Sequence, residues 1–191
     1  MNFKRLLILL LLITASIGFG VGFDAITTAI EKHTYPINTD FQADVSANAA
    51  EFGVPEAILW GFIHTQSGFS SNKVSNDGSI GLSQLTPDEF HMIQTQILKE
   101  SEQSADMLYS PKVNLRCGAA YLSFLYHRYG VWETVFAAYE AGTDTVDAWL
   151  ADPALTNEHG TLKTIPDASV ASLAKKTVDA CDAYRRLYFE N

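Results

Sequence analysis

The stretch FIHTQSGF, from Phe62 to Phe69, reads as the end of a helix that delivers one side chain, Gln66, into a cleft. A carboxylic acid in that place could hand a proton to a leaving group. Gln66 is an amide, which can hold a hydrogen bond but has no proton to transfer at physiological pH. A second candidate for acid work is Glu140, which stands just before Ala141-Gly142 near another helix end. An isolated glutamate in such a place also reads as a solvated surface charge. Other chemistries lack their residues. The histidines at 33, 64, 91, 127 and 159 show no paired-ligand spacing and no C-x-x-C occurs, so neither a metal nor any other cofactor is expected. No G-x-S-x-G elbow or phosphate loop is present either.

The elements that must position Gln66 and Glu140 are all helical in pattern. Phe41, Val45, Ala49 and Phe52 recur at helix spacing and Gly53 follows as a stop. Pro55 suits the first turn of the next helix, which carries Ile58, Leu59, Phe62 and Ile63 and stops at Gly68. A loop follows, with a turn signal at Asp77-Gly78 and space for a small hairpin within 70–85. Thr86-Pro87-Asp88-Glu89 is a capping-box pattern, predicting a helix to about Leu98. Ser110-Pro111 opens another that stops at Gly130, a shorter one spans Trp132 to Ala141, and a brief turn lies around Val146 to Leu150. The last helix carries Val170, Leu173, Thr177, Cys181, Tyr184 and Tyr188. Phe69, Leu82 and Trp149 are expected in the core. The fold class is therefore all-α, with about six or seven helices.

Composition bounds the partners. With 47% hydrophobic and 18% charged residues, the chain is an ordinary globular sequence, long enough at 191 residues for one domain with a real core. The net charge of −9, with no basic stripe, argues against nucleic acid and against electrostatic binding to an anionic membrane. The N-terminus differs. Lys4 and Arg5 precede an uncharged run from Leu6 to Phe23, whose 18 residues would span ~27 Å as a helix, close to the hydrocarbon thickness of a bilayer. The flanking positive charge places the rest of the chain outside the cytoplasm. Residues 1–23 read as a membrane anchor, the rival reading being a cleaved signal segment. Residues 24–38 read as a polar linker and 39–191 as the folded domain. Export permits a disulfide, but Cys117 and Cys181 both fall on apolar helix faces, and two buried free thiols are expected.

Five stretches in order carry a family resemblance: Gln66-Ser67-Gly68-Phe69; Gly78 to Pro87, read GSIGLSQLTP; Pro111 to Leu122, read PKVNLRCGAAYL; Ala137 to Gly142, read AAYEAG, followed by Val146 to Leu150; and Ile165 to Val170, read IPDASV. Their order and separation resemble the catalytic domain of the soluble lytic transglycosylases, relatives of goose-type lysozyme, over about Tyr35 to Tyr188. The resemblance implies a lysozyme-like helical domain acting on peptidoglycan glycan strands, and the N-terminal segment places it at the outer face of the cytoplasmic membrane. In that family one glutamate protonates the oxygen leaving the bond between N-acetylmuramic acid and N-acetylglucosamine. The sugar's own C6 hydroxyl then closes an anhydro ring, without the second carboxylate of the two-acid scheme.

The departures fall on the site that the resemblance implies. Gln66 stands where the family has its acid, Glu140 replaces an asparagine, and Ser83 replaces a methionine. Ser169, Val170 and Leu173 stand where the last motif has Glu, Thr and Tyr. By the resemblance Gln84 and Tyr139 contact substrate beside the acid, with Ser67 at the helix end; on their own, Gln84 reads equally as a loop-stabilising amide and Tyr139 as a packed aromatic. Three readings are open: a disarmed cleft that still holds glycan, a cleft in which Glu140 has become the acid, and an engineered Gln66. A scaffold protein that retains only the fold is a fourth possibility, and an open cleft would count against it.

Overall fold

Prolines and glycines set the ends of the helices, and those ends place the cleft. The computed structural model describes residues 25–190. The contacts divide the chain at Pro36/Ile37. In the first unit residues 25–34 are helical, where a polar linker was expected. No helix among the described residues is long and apolar enough to cross a membrane. The run Leu6 to Phe23, for which an anchor was expected, lies outside the described residues.

The second unit is helical and, among the described residues, has isolated bridges but no strand. Helix α1 (Gln42–Phe52) stops at Gly53, whose φ of 66° suits a residue without a Cβ. Helix α2 (Glu56–Ser67) begins after Pro55 and ends at Gly68, φ 59°, whose N–H caps the His64 carbonyl. The Thr86–Glu89 capping box opens α3 (Pro87–Met92), as its pattern predicts. The single helix expected to Leu98 instead widens into a π-helix over Ile93–Leu98. A 3₁₀ turn, Ala105–Tyr109, has no counterpart in the sequence reading. Helices α4 (Pro111–Tyr129), α5 (Trp132–Ala141), α6 (Thr143–Leu150) and α7 (Ala168–Tyr184) complete the domain, α7 running on into a π-helical Arg185–Phe189.

Helix α2 forms the centre. Trp60, Phe62 and Ile63 are fully buried, and α7 packs along it more extensively than any other pair of elements. Gly61 is what permits that approach. A Cβ at Gly61 would lie 2.5 Å from the Cys181 amide nitrogen and 2.6 Å from its Cα. Gly61→Ala gains ~1 kcal/mol of helix propensity. The overlap is with backbone, which cannot swing aside, so the upper end of the overpacking cost applies and a net loss of about 2 kcal/mol is expected in denaturant unfolding. An unchanged midpoint would mean that α2 and α7 separate at little cost.

The two cysteines are buried and free, Cys117 on α4 and Cys181 on α7, and burial pushes the Cys117 thiol up to about 11. Leu82 is core as expected, but Phe69 and Trp149 are only half-buried. Phe69, at φ 67°, turns back to stack on His64 and meets Trp60 edge-on. The hairpin expected within 70–85 reduces to two single bridges, Val74 to Ile80 and Ile80 to Leu85. Ile80 serves both, because Gly81 (φ 83°) and Gln84 (φ 50°) fold the chain back too tightly for a ladder.

Candidate functional site

Asn114 ties the loop between α2 and α3 to α4. Asn114, fully buried on α4, donates from Nδ2 to the carbonyls of Ile80 (2.7 Å) and Leu108 (3.0 Å). Its Oδ1 accepts from the Ser83 amide at 2.7 Å. Ser83 in turn packs against Gly118, where a Cβ would lie 2.1 Å from the Ser83 hydroxyl oxygen. Gln84 holds the loop's interior: Nε2 donates to the Gly81 carbonyl at 2.7 Å and the Lys73 carbonyl at 3.2 Å, while Oε1 accepts from the Ser75 hydroxyl at 2.5 Å. Both ends of this amide are therefore taken up by loop contacts.

Helices α2 and α5 bring the two candidate acid positions together across 74 residues. Gln66, in the last turn of α2 and 9% exposed, donates from Nε2 to Oε1 of Glu140 at 2.5 Å. The Gln66 main-chain carbonyl accepts from Lys73 Nζ at 2.5 Å. Tyr139 and Glu140 are consecutive on α5 and so diverge. Tyr139 turns inward, its hydroxyl donating to the Ser83 carbonyl at 2.8 Å and its ring meeting Phe62 edge-on at 4.8 Å. Glu140 turns to the groove. The residue as a whole is exposed, yet its carboxyl lies against the groove wall, and this burial raises its pKa above the ordinary glutamate range. The Gln66 amide opposes that rise, the negative charges of Glu89 and Asp77 add to it, and Lys73 opposes it. Asp77 is held below its usual range by hydrogen bonds from Ser79.

These side chains line a groove of about 380 Å³ that also includes Thr65, Thr86 and Leu173. Four of the five residues singled out from the sequence therefore share one groove: Gln66, Gln84, Tyr139 and Glu140. Ser67 is elsewhere. It is buried, and its hydroxyl donates to the Ile63 carbonyl one turn back. Lys73, Asp77 and Glu89 also face the groove and were not singled out; Asp77 carried a signal only as part of a turn and Glu89 only as a helix cap. Among the described residues no group of three or more His, Cys, Asp or Glu converges as a metal site. A second groove, about 430 Å³ and mostly apolar, is lined by Ile58, Trp132 and Phe189, with Glu56 and Arg185 also on its lining.

The arrangement of α2, its loop and α5 matches a known family. The model of the transglycosylase SLT domain matches residues 45–159, more than half of the chain. The chain belongs to the SLT transglycosylase domain family. Among curated relatives, this SLT domain is 30% identical over 89 residues to membrane-bound lytic murein transglycosylase C of Yersinia pestis, covering 44% of this chain and 24% of that protein. Among solved structures it resembles an inactive glutamate-to-glutamine mutant of the lytic transglycosylase Slt from Pseudomonas aeruginosa. That match has a TM-score of 0.70 and 26% identity, over 81% of this chain and 25% of that one. The 70 kDa soluble lytic transglycosylase of Escherichia coli shares the fold, with a TM-score of 0.74 at 20% identity over 84% of this chain and 26% of its own. A complex of a 70 kDa soluble lytic transglycosylase with bulgecin A shares the fold as well, with a TM-score of 0.73 at 20% identity. The SLT domain thus spans about a quarter of the length of these relatives.

Proposed function

We propose that this SLT domain holds peptidoglycan glycan strands in the groove between α2 and α5, with cleavage lost or strongly reduced. The observation that carries this reading is the Gln66 amide tied to Glu140 at 2.5 Å at the end of α2, which we read as the place of the family acid. A lone-acid mechanism has no second carboxylate to share the loss, and general acid catalysis contributes ~10²–10⁴-fold. The inactive state of the glutamine mutant of the Pseudomonas protein is in keeping with it. The groove is open rather than filled with side chains, which favours binding over a role as scaffold alone. The domain would act at the outer face of the cytoplasmic membrane, held by the Leu6 to Phe23 segment, on the wall that its relatives' names as murein transglycosylases point to.

The test is to incubate the full chain with peptidoglycan sacculi and measure both products and retention. Pull-down by sacculi without anhydro-muropeptides above the blank is the expected result. Neither product nor pull-down would leave only the scaffold.

One observation favours a second reading. Glu140 lies in the groove with a carboxyl whose pKa is raised, as a general acid requires. If products are released by the parent chain, Glu140→Gln should abolish them. In either case Glu140→Gln should leave the thermal midpoint unchanged or slightly higher at neutral pH. The folded pKa of Glu140 lies above its unfolded value, so its ionised form costs stability above that range and costs nothing well below it. A large drop in the midpoint would show that the Gln66–Glu140 bond holds the fold.

A further inference from the structure

The same groove carries a preference in charge and hydrogen-bond polarity that the glycan reading does not by itself contain. Three carboxylates, Asp77, Glu89 and Glu140, face it, against the single ammonium of Lys73. Lys73 donates to the Gln66 carbonyl, and Glu89 is engaged with Thr86 in the capping box. The second observation concerns Gln66. An ionised carboxylate only accepts, so the bond to Glu140 fixes the amide with Nε2 toward α5. Gln66 lines the groove at 9% exposure, and its Oε1 accepts no hydrogen bond from the described residues. A protonated glutamate in that place would present a donor. Gln66 presents an acceptor, beside two further acceptors on Glu140 and Asp77. The Glu140 carboxyl is shifted upward mainly by burial, with smaller contributions from Glu89 and Asp77.

We propose that the groove selects glycan strands bearing free amino groups, in which hexosamines have lost their N-acetyl group, over fully N-acetylated strands. This rests on the glycan-binding reading and names the substrate class within it. An ammonium carries three donors and a positive charge, and it meets the Gln66 carbonyl oxygen and the neighbouring carboxylates in charge-assisted bonds. An acetamido group offers one neutral N–H and a carbonyl oxygen that the carboxylates repel.

The test measures binding of the full chain, in detergent, to a short β-1,4-linked glucosamine oligomer and to its fully N-acetylated counterpart, at about pH 6 where an amine of this kind is charged. The free amine form should bind about tenfold more tightly at low salt, and the difference should narrow as salt is added. Asp77→Asn and Glu140→Gln should each reduce the preference, thermal midpoints confirming that both variants are folded. Equal binding of the two oligomers, or tighter binding of the acetylated one, overturns the proposal and leaves the glycan reading standing. A preference unchanged in both variants also overturns it, because the attraction then comes from the chain's general acidity. Binding of neither oligomer overturns both.

Discussion

Gln66→Glu is expected to raise the release of anhydro-terminated muropeptides by about 10²–10⁴-fold over the parent chain, the range that a positioned general acid supplies. The new carboxyl would stand where the amide now meets Glu140 Oε1 at 2.5 Å. Two carboxyl groups at that separation cannot both ionise, so the pair retains one proton to higher pH than either group alone. Glu140 is already shifted upward by burial and by the nearby Glu89 and Asp77, which strengthens the effect. The result would be a protonated acid near neutral pH at the end of α2. Mass spectrometry of soluble products from sacculi reads it directly. A folded Gln66→Glu protein that binds sacculi and releases nothing would defeat this expectation and move the cause to the last motif. There, by the resemblance, Ser169, Val170 and Leu173 stand in place of the family's residues, and Leu173 lines the groove.

Asn114→Ala is expected to cause the largest loss of stability of any single polar change. Asn114 is fully buried and makes three hydrogen bonds, to Ile80, Leu108 and Ser83. Alanine would leave the Leu108 carbonyl and the Ser83 N–H without partners, while the Ile80 carbonyl keeps the Leu85 N–H; at ~1–3 kcal/mol each, a total of about 2–6 kcal/mol is expected before any cavity cost. Domains have only ~5–15 kcal/mol to lose. Urea unfolding followed by tryptophan fluorescence measures it, and a loss under about 1 kcal/mol would show that the loop is held by something else. Glycan retention should fall in parallel, because the segment that Asn114 anchors carries Asp77, Ser79 and Gln84.

How far these features were legible depends on whether they are local. Gly53, Gly68 and Gly130 end helices because a left-handed backbone is needed just after the last turn, and the capping box at Thr86–Glu89 is a four-residue event. Such signals are complete in the sequence. The π-helical turns at 93–98 and 185–189 are not, since they change which carbonyl each N–H reaches and no residue type marks that choice. An apolar residue tells which face of an element turns inward, not how fully it is covered, so Phe69 and Trp149 read as core and are half-buried. Within the groove, Gln66 and Glu140 were marked by their places in short motifs. Lys73, Asp77 and Glu89 have no motif in common, and only the path of the loop brings them to one wall. That Gln84 uses both ends of its amide on the loop also depends on a backbone turn that composition does not reveal.

The bond between Gln66 and Glu140 differs from an ion pair in how it meets acid. An ion pair across a groove lets go when its carboxylate is protonated. An amide and a carboxyl can exchange roles: once neutral, Glu140 donates its O–H to Gln66 Oε1 after the amide turns over, and the link between α2 and α5 persists. The link between Gln66 and Glu140 is therefore expected to outlast the titration of Glu140, with the amide presenting its other end to the groove.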